Sequence, residues 1–156
     1  MPAAGAGSLG TRSPREETTK LVRVLITSGF RLMAESVAAK LVGVNGMAVS
    51  PCCGDFGEVA RAILRRPPDL LLLDVYHDRN AALDLAVELR LKLPGLKILI
   101  LGIGNTRDAV RCVEAACSGF TLVDCSLDEL HDAIARVLRG EEVYPDPSRM
   151  DPTAPR

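Results

Sequence analysis

The stretch Pro68-Asp69-Leu70-Leu71-Leu72-Leu73-Asp74 constrains the fold of this chain more than any other. Four consecutive leucines leave no polar face, so a strand built from them must be covered on both sides, as in a parallel sheet flanked by helices. Pro68 opens the run, and the polar cluster His77-Asp78-Arg79-Asn80 follows it, which holds it to strand length. Asp74 therefore stands at the carboxyl edge of a sheet, where open α/β folds place their ligand sites. The plainer reading is that Asp74 ends a strand and caps the next loop.

The rest of the chain repeats the same unit, a short apolar run followed by an amphipathic stretch. Leu21 to Ile26 is a first strand, and the helix after it, from about Phe30 to Val42, shows an apolar face of Phe30, Met33, Ala34, Val37, Ala38 and Leu41. Gly43 and Gly46 end that helix. Met47 to Cys52 is a weaker strand. Asp55 and Glu58 open a second helix with Val59, Ala62 and Ile63 inward, and Pro67-Pro68 stops it. After Asp74, Ala81 to Leu93 is helical up to Pro94-Gly95, and Leu96 to Leu101 is a fourth strand. Thr106 to Cys117 repeats Val110 and Val113 on one helical face, and Phe120 to Val123 is a fifth strand. Ser126-Leu127-Asp128-Glu129 is a capping box for a last helix expected to bury Leu127, Leu130, Ile134, Val137 and Leu138.

Five such units suit an open, doubly wound five-stranded parallel sheet with helices on both faces, and are too few for an eightfold barrel. A dinucleotide-binding fold needs a Gly-x-Gly-x-x-Gly turn after the first strand. Thr27-Ser28-Gly29-Phe30-Arg31-Leu32 has one glycine there, and Gly102-Ile103-Gly104 lacks the third and follows strand four.

With 47% hydrophobic and 25% charged residues the chain has the composition of a soluble globular domain, and its net charge of −1 supplies no field for nucleic acid or anionic lipid. No apolar stretch approaches the about 20 residues of a membrane helix. Residues 1–20 carry no apolar segment of a secretory signal and read as a disordered tail, residues 21–140 as the domain, and residues 141–156, with Pro145, Pro147 and Pro152, as a second tail. Five cysteines, an odd number at spacings that match neither a zinc ribbon nor a redox pair, point to reduced thiols in the cytoplasm. Cys52 and Cys53 are adjacent and would face opposite ways on a strand; Cys112, Cys117 and Cys125 read as small buried hydrophobes.

In this order the segments resemble the receiver domain of bacterial response regulators, of the NarL/LuxR type that precedes a helix-turn-helix output domain. The resemblance spans Leu21 to Tyr144 and rests on Val24-Leu25-Ile26-Thr27-Ser28, the leucine run through Asp74-Val75, Pro94-Gly95-Leu96-Lys97-Ile98-Leu99-Ile100-Leu101, Gly119-Phe120-Thr121-Leu122-Val123-Asp124-Cys125-Ser126, Leu130-His131-Asp132-Ala133-Ile134 and Arg139-Gly140-Glu141-Glu142-Val143-Tyr144-Pro145. It implies a flavodoxin-like sheet of order 2-1-3-4-5. It also implies Asp74 as the phosphoacceptor position, with two carboxylates after the first strand that hold Mg²⁺ together with it, a hydroxyl after the fourth strand and a lysine after the fifth. Transfer of a phosphoryl group to a carboxylate brings anions together, so a cation must offset the charge.

Here the acidic positions hold Thr27 and Ser28, the hydroxyl position holds Gly102 and the lysine position holds Val123. Neutral hydroxyls are poor ligands for a hard divalent cation, so little or no Mg²⁺ binding is expected. His77, Asp78, Arg107 and Asp124 lie on loops at the same edge; Asp78 is a candidate substitute metal ligand and Arg107 a candidate phosphate contact, against the plainer reading of solvated loop charges. Thr27 and Ser28 otherwise read as helix-capping residues, with Ser28 at the N-cap.

The expectation is a degenerate receiver: a non-enzymatic domain of a two-component, transcriptional pathway that acts by protein–protein contact without Mg²⁺-dependent phosphorylation. Its expected partners are a second copy or another protein, met through the fourth helix, fifth strand and last helix, and a sensor kinase upstream. Too few residues follow the last helix for a helix-turn-helix, so direct nucleic-acid contact by this chain is not expected. Two alternatives are phosphorylation of Asp74 with a rebuilt metal site, and sensing of a small molecule or anion in the vacated pocket, where a helix N-terminus offers donors.

Overall fold

The computed structural model describes residues 20–44 and 46–150. Apart from Lys20, the first expected tail lies outside the described residues. Five parallel strands, β1 (Val22–Thr27), β2 (Met47–Cys52), β3 (Leu70–Asp74), β4 (Lys97–Ile103) and β5 (Gly119–Leu122), form one sheet in the order β2-β1-β3-β4-β5. Each is followed by a helix: α1 (Arg31–Leu41), α2 (Phe56–Arg65), α3 (Arg79–Lys92), α4 (Thr106–Glu114) and α5 (Leu127–Leu138).

The central strand shows why the leucine run had to be covered twice. Leu70 and Leu72 face the layer formed with Ala34, Ala38 and Leu41 of α1 and Ile134 and Val137 of α5. Leu71 and Leu73 face the opposite layer, built from α2, α3 and α4. β4 repeats the division, with Leu99 and Leu101 on the first side and Ile98 and Ile100 on the second. Side chains alternate along a strand, so a run apolar at every position fills two cores at once.

Helix starts follow capping chemistry in four cases. Asp55, Asp78 and Asn105 accept hydrogen bonds from the backbone N–H of Glu58, Ala81 and Asp108, and Ser126 and Glu129 form a reciprocal capping box. α1 differs. Its N-cap is Phe30, extended and without a side-chain cap, so Ser28 is not the cap the sequence suggested.

Several expected core residues are exposed. On α1, Phe30 and Met33 lie outside the core, which takes Ala34, Ala38 and Leu41. On α2, Ala60 is buried beside Val59 and Ile63, whereas Ala62 is only half-buried. Val110 and Val113 of α4 are 49% and 52% exposed, because Ala109 and Cys112 meet the sheet instead. Leu127 is exposed and Leu138 half-buried, while Leu130, Ala133, Ile134 and Val137 carry the packing of α5. On α4 the buried face lies one position from the one the valines mark, while on α1 and α5 the sheet covers a narrower face than the apolar spacing suggests.

Residues after Gly140, read from sequence as tail, pack on the domain as far as Met150. Val143 bridges to Gly119, the Tyr144 hydroxyl donates to the Cys117 carbonyl at 2.8 Å, and Met150 is buried behind a 3₁₀ turn at Pro147–Arg149. A Cβ at Gly119 would run into the Val143 backbone, which is why glycine stands there.

Candidate functional site

Strand register gathers the site residues. Thr27 pairs with Leu73 and Asp74 with Leu101, so Ser28, Asp74 and Gly102 end side by side at the carboxyl edge, and Val123 follows β5 at the same edge. Thr27, Ser28 and Asp74 are buried, Asp74 with 4% of its surface accessible.

Both Asp74 oxygens are occupied. The Ser28 hydroxyl donates to Oδ2 at 2.7 Å and the Tyr76 backbone N–H donates to Oδ1 at 3.1 Å. Ser28 Oγ in turn accepts from the Phe30 N–H at 3.1 Å, which ties the start of α1 to the aspartate in place of a cap. A buried carboxylate is tolerated only when donors replace the water it has lost, and these two supply that replacement.

Gly102 has a φ of +88°, beside an irregularity in the β4–β5 ladder between Ile100 and Ile103. That backbone region favours glycine, and a Cβ built there would lie 3.8 Å from Asp74 Oδ1. Val123 is 65% exposed and holds its place through a backbone bond to the Ile103 carbonyl.

The four loop residues put forward as substitutes fall elsewhere. Asp78 spends its Oδ1 on the cap of α3. His77 packs edge-on against Phe30, with ring centroids 5.2 Å apart, and covers Gly29 so closely that any side chain at 29 would collide with it. Arg107 and Asp124 are exposed, and neither they nor His77 and Asp78 line the cavity beside Asp74. The divalent cation that the receiver pattern implies needs several oxygen ligands, mostly charged. One carboxylate and two neutral hydroxyls do not fit it, and no group of three or more His, Cys, Asp or Glu converges among the described residues.

Beside Asp74 opens a cavity of about 770 Å³, walled by α1, the ends of β4 and β5, and the start of α5. Phe30, Met33 and Leu127, expected in the core, form part of this wall instead. Tyr76 was not singled out from the sequence, yet it supplies a donor to Asp74 and a side of the cavity. A second unforeseen group is Asp108, buried on α4, which accepts from Arg79 at 3.0 Å and from the Asn105 amide at 2.8 Å. The Asn105-to-Asp108 spacing signals a helix start, but nothing local to it indicates the reach of Arg79.

All five cysteines are free. Burial pushes the Cys112 thiol up to about 12 and the Cys117 thiol up to about 11. The Cys52 and Cys125 thiols are also raised, chiefly by burial, which makes all four poor nucleophiles.

No protein-family model matches the chain. It is 29% identical over 124 residues to the uncharacterized transcriptional regulatory protein YxjL of Bacillus subtilis, covering 79% of this chain and 57% of that protein. It is 27% identical over 78 residues to the response regulator protein VraR of Staphylococcus aureus, covering 49% of this chain and 37% of VraR. The chain thus spans little more than half of the first of these relatives and less of the second. Among solved structures, a LuxR-family two-component response regulator from Aurantimonas sp. SI85-9A1 superposes with a TM-score of 0.72 at 22% identity, over 81% of this chain and 90% of that one. The signal receiver domain of the putative response regulator NarL from Mycobacterium tuberculosis gives 0.68 at 21% identity, over 77% and 98%. In sequence and in strand order the chain is thus similar to response-regulator receiver domains of the LuxR/NarL type, and its fold is theirs.

Proposed function

We propose that this receiver domain is a non-enzymatic interaction module whose signal does not depend on Mg²⁺-assisted phosphorylation of Asp74. The observation that carries the reading is the neutral surroundings of that residue: Oδ2 is held by a serine where a second carboxylate would recruit metal, and Oδ1 by the Tyr76 N–H. Asp78, the nearest substitute ligand in sequence, is engaged as a helix cap. Gly102 and Val123 offer neither the hydroxyl nor the cation that would read a phosphoryl group, so an adduct would have nothing to pull on. Magnesium affinity is correspondingly weak or absent.

The surface for pairing with a second copy or a partner protein is the α4–β5–α5 side, where Val110 and Val113 stand exposed on α4 beside Tyr144 and Pro145. A sensor kinase is the proposed upstream partner, and any DNA-binding output in the pathway is supplied by proteins or segments other than the residues described. The decisive experiment is incubation with Mg²⁺ and acetyl phosphate followed by intact mass, with Asp74→Asn alongside. No adduct on either protein is the expected result; an adduct on wild type alone overturns the reading and makes Asp74 a working phosphoacceptor.

A further inference from the structure

The cavity beside Asp74 has a one-sided chemistry. Met33, Val37, Leu101, Leu122, Val123 and Leu130 give it apolar walls, and its volume of about 770 Å³ lies within the range of small-molecule sites. Among the described residues, Asp74 is the one charged group in its lining, which contains no Lys, Arg or His. The two hydrogen bonds that Asp74 accepts leave acceptor capacity on both oxygens, since a carboxylate offers about four lone-pair sites. Gly102 places no side chain over Oδ1.

Charge complementarity then decides among occupants. An anion entering here meets a carboxylate with no cation beside it in the described lining, so the anion reading drawn from the sequence is disfavoured. A neutral apolar molecule gains burial alone. A molecule with an apolar body and a protonated amine gains burial together with a charge-assisted hydrogen bond to the carboxylate. We propose that this cavity is a binding site for a cationic amphiphile, its ammonium group seated on Asp74 and its hydrocarbon body lying along Met33, Val37 and Val123. The inference goes beyond the interaction reading and holds whether or not Asp74 accepts a phosphoryl group.

The test compares n-octylamine, n-octanol and octanoate, alike in chain length and different in head charge, titrated below their aggregation concentrations into ¹⁵N-labelled full-length protein. Octylamine should bind about tenfold or more tightly than octanol, as a charge-assisted bond implies, with octanoate weakest and the amide shifts centred on Tyr76, Gly102 and Leu122. Asp74→Asn should erase the preference for amine over alcohol while octanol binding stays. Met33→Lys, at a partly exposed wall position, should abolish octylamine binding and improve octanoate binding, which keeps the test decisive should Asp74→Asn fail to fold. Equal affinity for the three probes, binding of none, a preference that survives Asp74→Asn, or shifts centred on α4 would each overturn the proposal.

Discussion

Ser28 and Asp74, 46 residues apart in sequence, are joined by a buried hydrogen bond of 2.7 Å from the serine hydroxyl to the aspartate Oδ2. Ser28→Ala removes one of the two donors to that carboxylate and an acceptor for the Phe30 N–H. The expected cost is about 1–3 kcal/mol, because a buried acceptor loses its partner, read as a lower urea midpoint at unchanged slope. Ser28→Asp should destabilise more in the absence of metal, through carboxylate repulsion, and should be the variant whose melting temperature rises with MgCl₂. A comparable rise in wild type would contradict the proposed loss of metal binding.

Gly102→Ser restores a hydroxyl at the cost of a side chain at φ +88°. The expected loss is about 1 kcal/mol or more, measured by denaturant unfolding. Val123→Lys, at an exposed position, should stay within about 0.5 kcal/mol of wild type. The two changes that would rebuild the family's site thus differ in their structural cost.

What could be read from sequence divides along the same lines. The leucine run, the capping residues Asp55 and Ser126 and the breaks at Pro67 and Pro94 are local signals, and the strand order and helix layers agree with them. The exposure of Val110, Val113 and Leu127 was not legible, since helical spacing shows an apolar stripe but not the rotation at which the helix meets the sheet. The contacts Ser28–Asp74 and Arg79–Asp108 join different βα units, and only the strand register brings their members together.

Leu72 is fully buried in the central strand. Leu72→Ala leaves a void bounded by the first helical layer and should cost about 2–5 kcal/mol. A loss of unfolding free energy below about 1 kcal/mol, read from urea denaturation, would mean that the layer collapses onto the gap.

Arg79 holds the buried Asp108 across the loops that lead into α3 and α4. Arg79→Ala leaves that carboxylate with Asn105 as its remaining side-chain donor and should cost about 1–3 kcal/mol, with the arginine's partial exposure keeping the value at the low end. Arg79→Ala paired with Asp108→Asn should recover part of the loss, and a thermodynamic cycle over the two sites measures it.

The thiols set an alkaline limit. An unfolded thiol loses its proton near 9.0, whereas burial holds Cys117 and Cys112 protonated to about 11 and about 12. As pH rises past 9 the unfolded chain ionises first, so stability falls and continues to fall until the folded thiols titrate. Urea midpoints should drop between about pH 8 and about pH 10, with a smaller drop in Cys112→Ala. A thiol reagent at neutral pH should label Cys53 before Cys112 and Cys117.

The Gly119–Val143 bridge has a consequence for how copies of this domain can meet. The outer edge of β5 is already bonded, with the Val143 N–H on the Ser118 carbonyl and the Phe120 N–H on the Val143 carbonyl. The opposite edge strand, β2, carries Pro51, which has no N–H to donate. Both margins are thus interrupted at these points, which opposes lengthening of the sheet from one molecule into the next and favours association through the helical faces and loops.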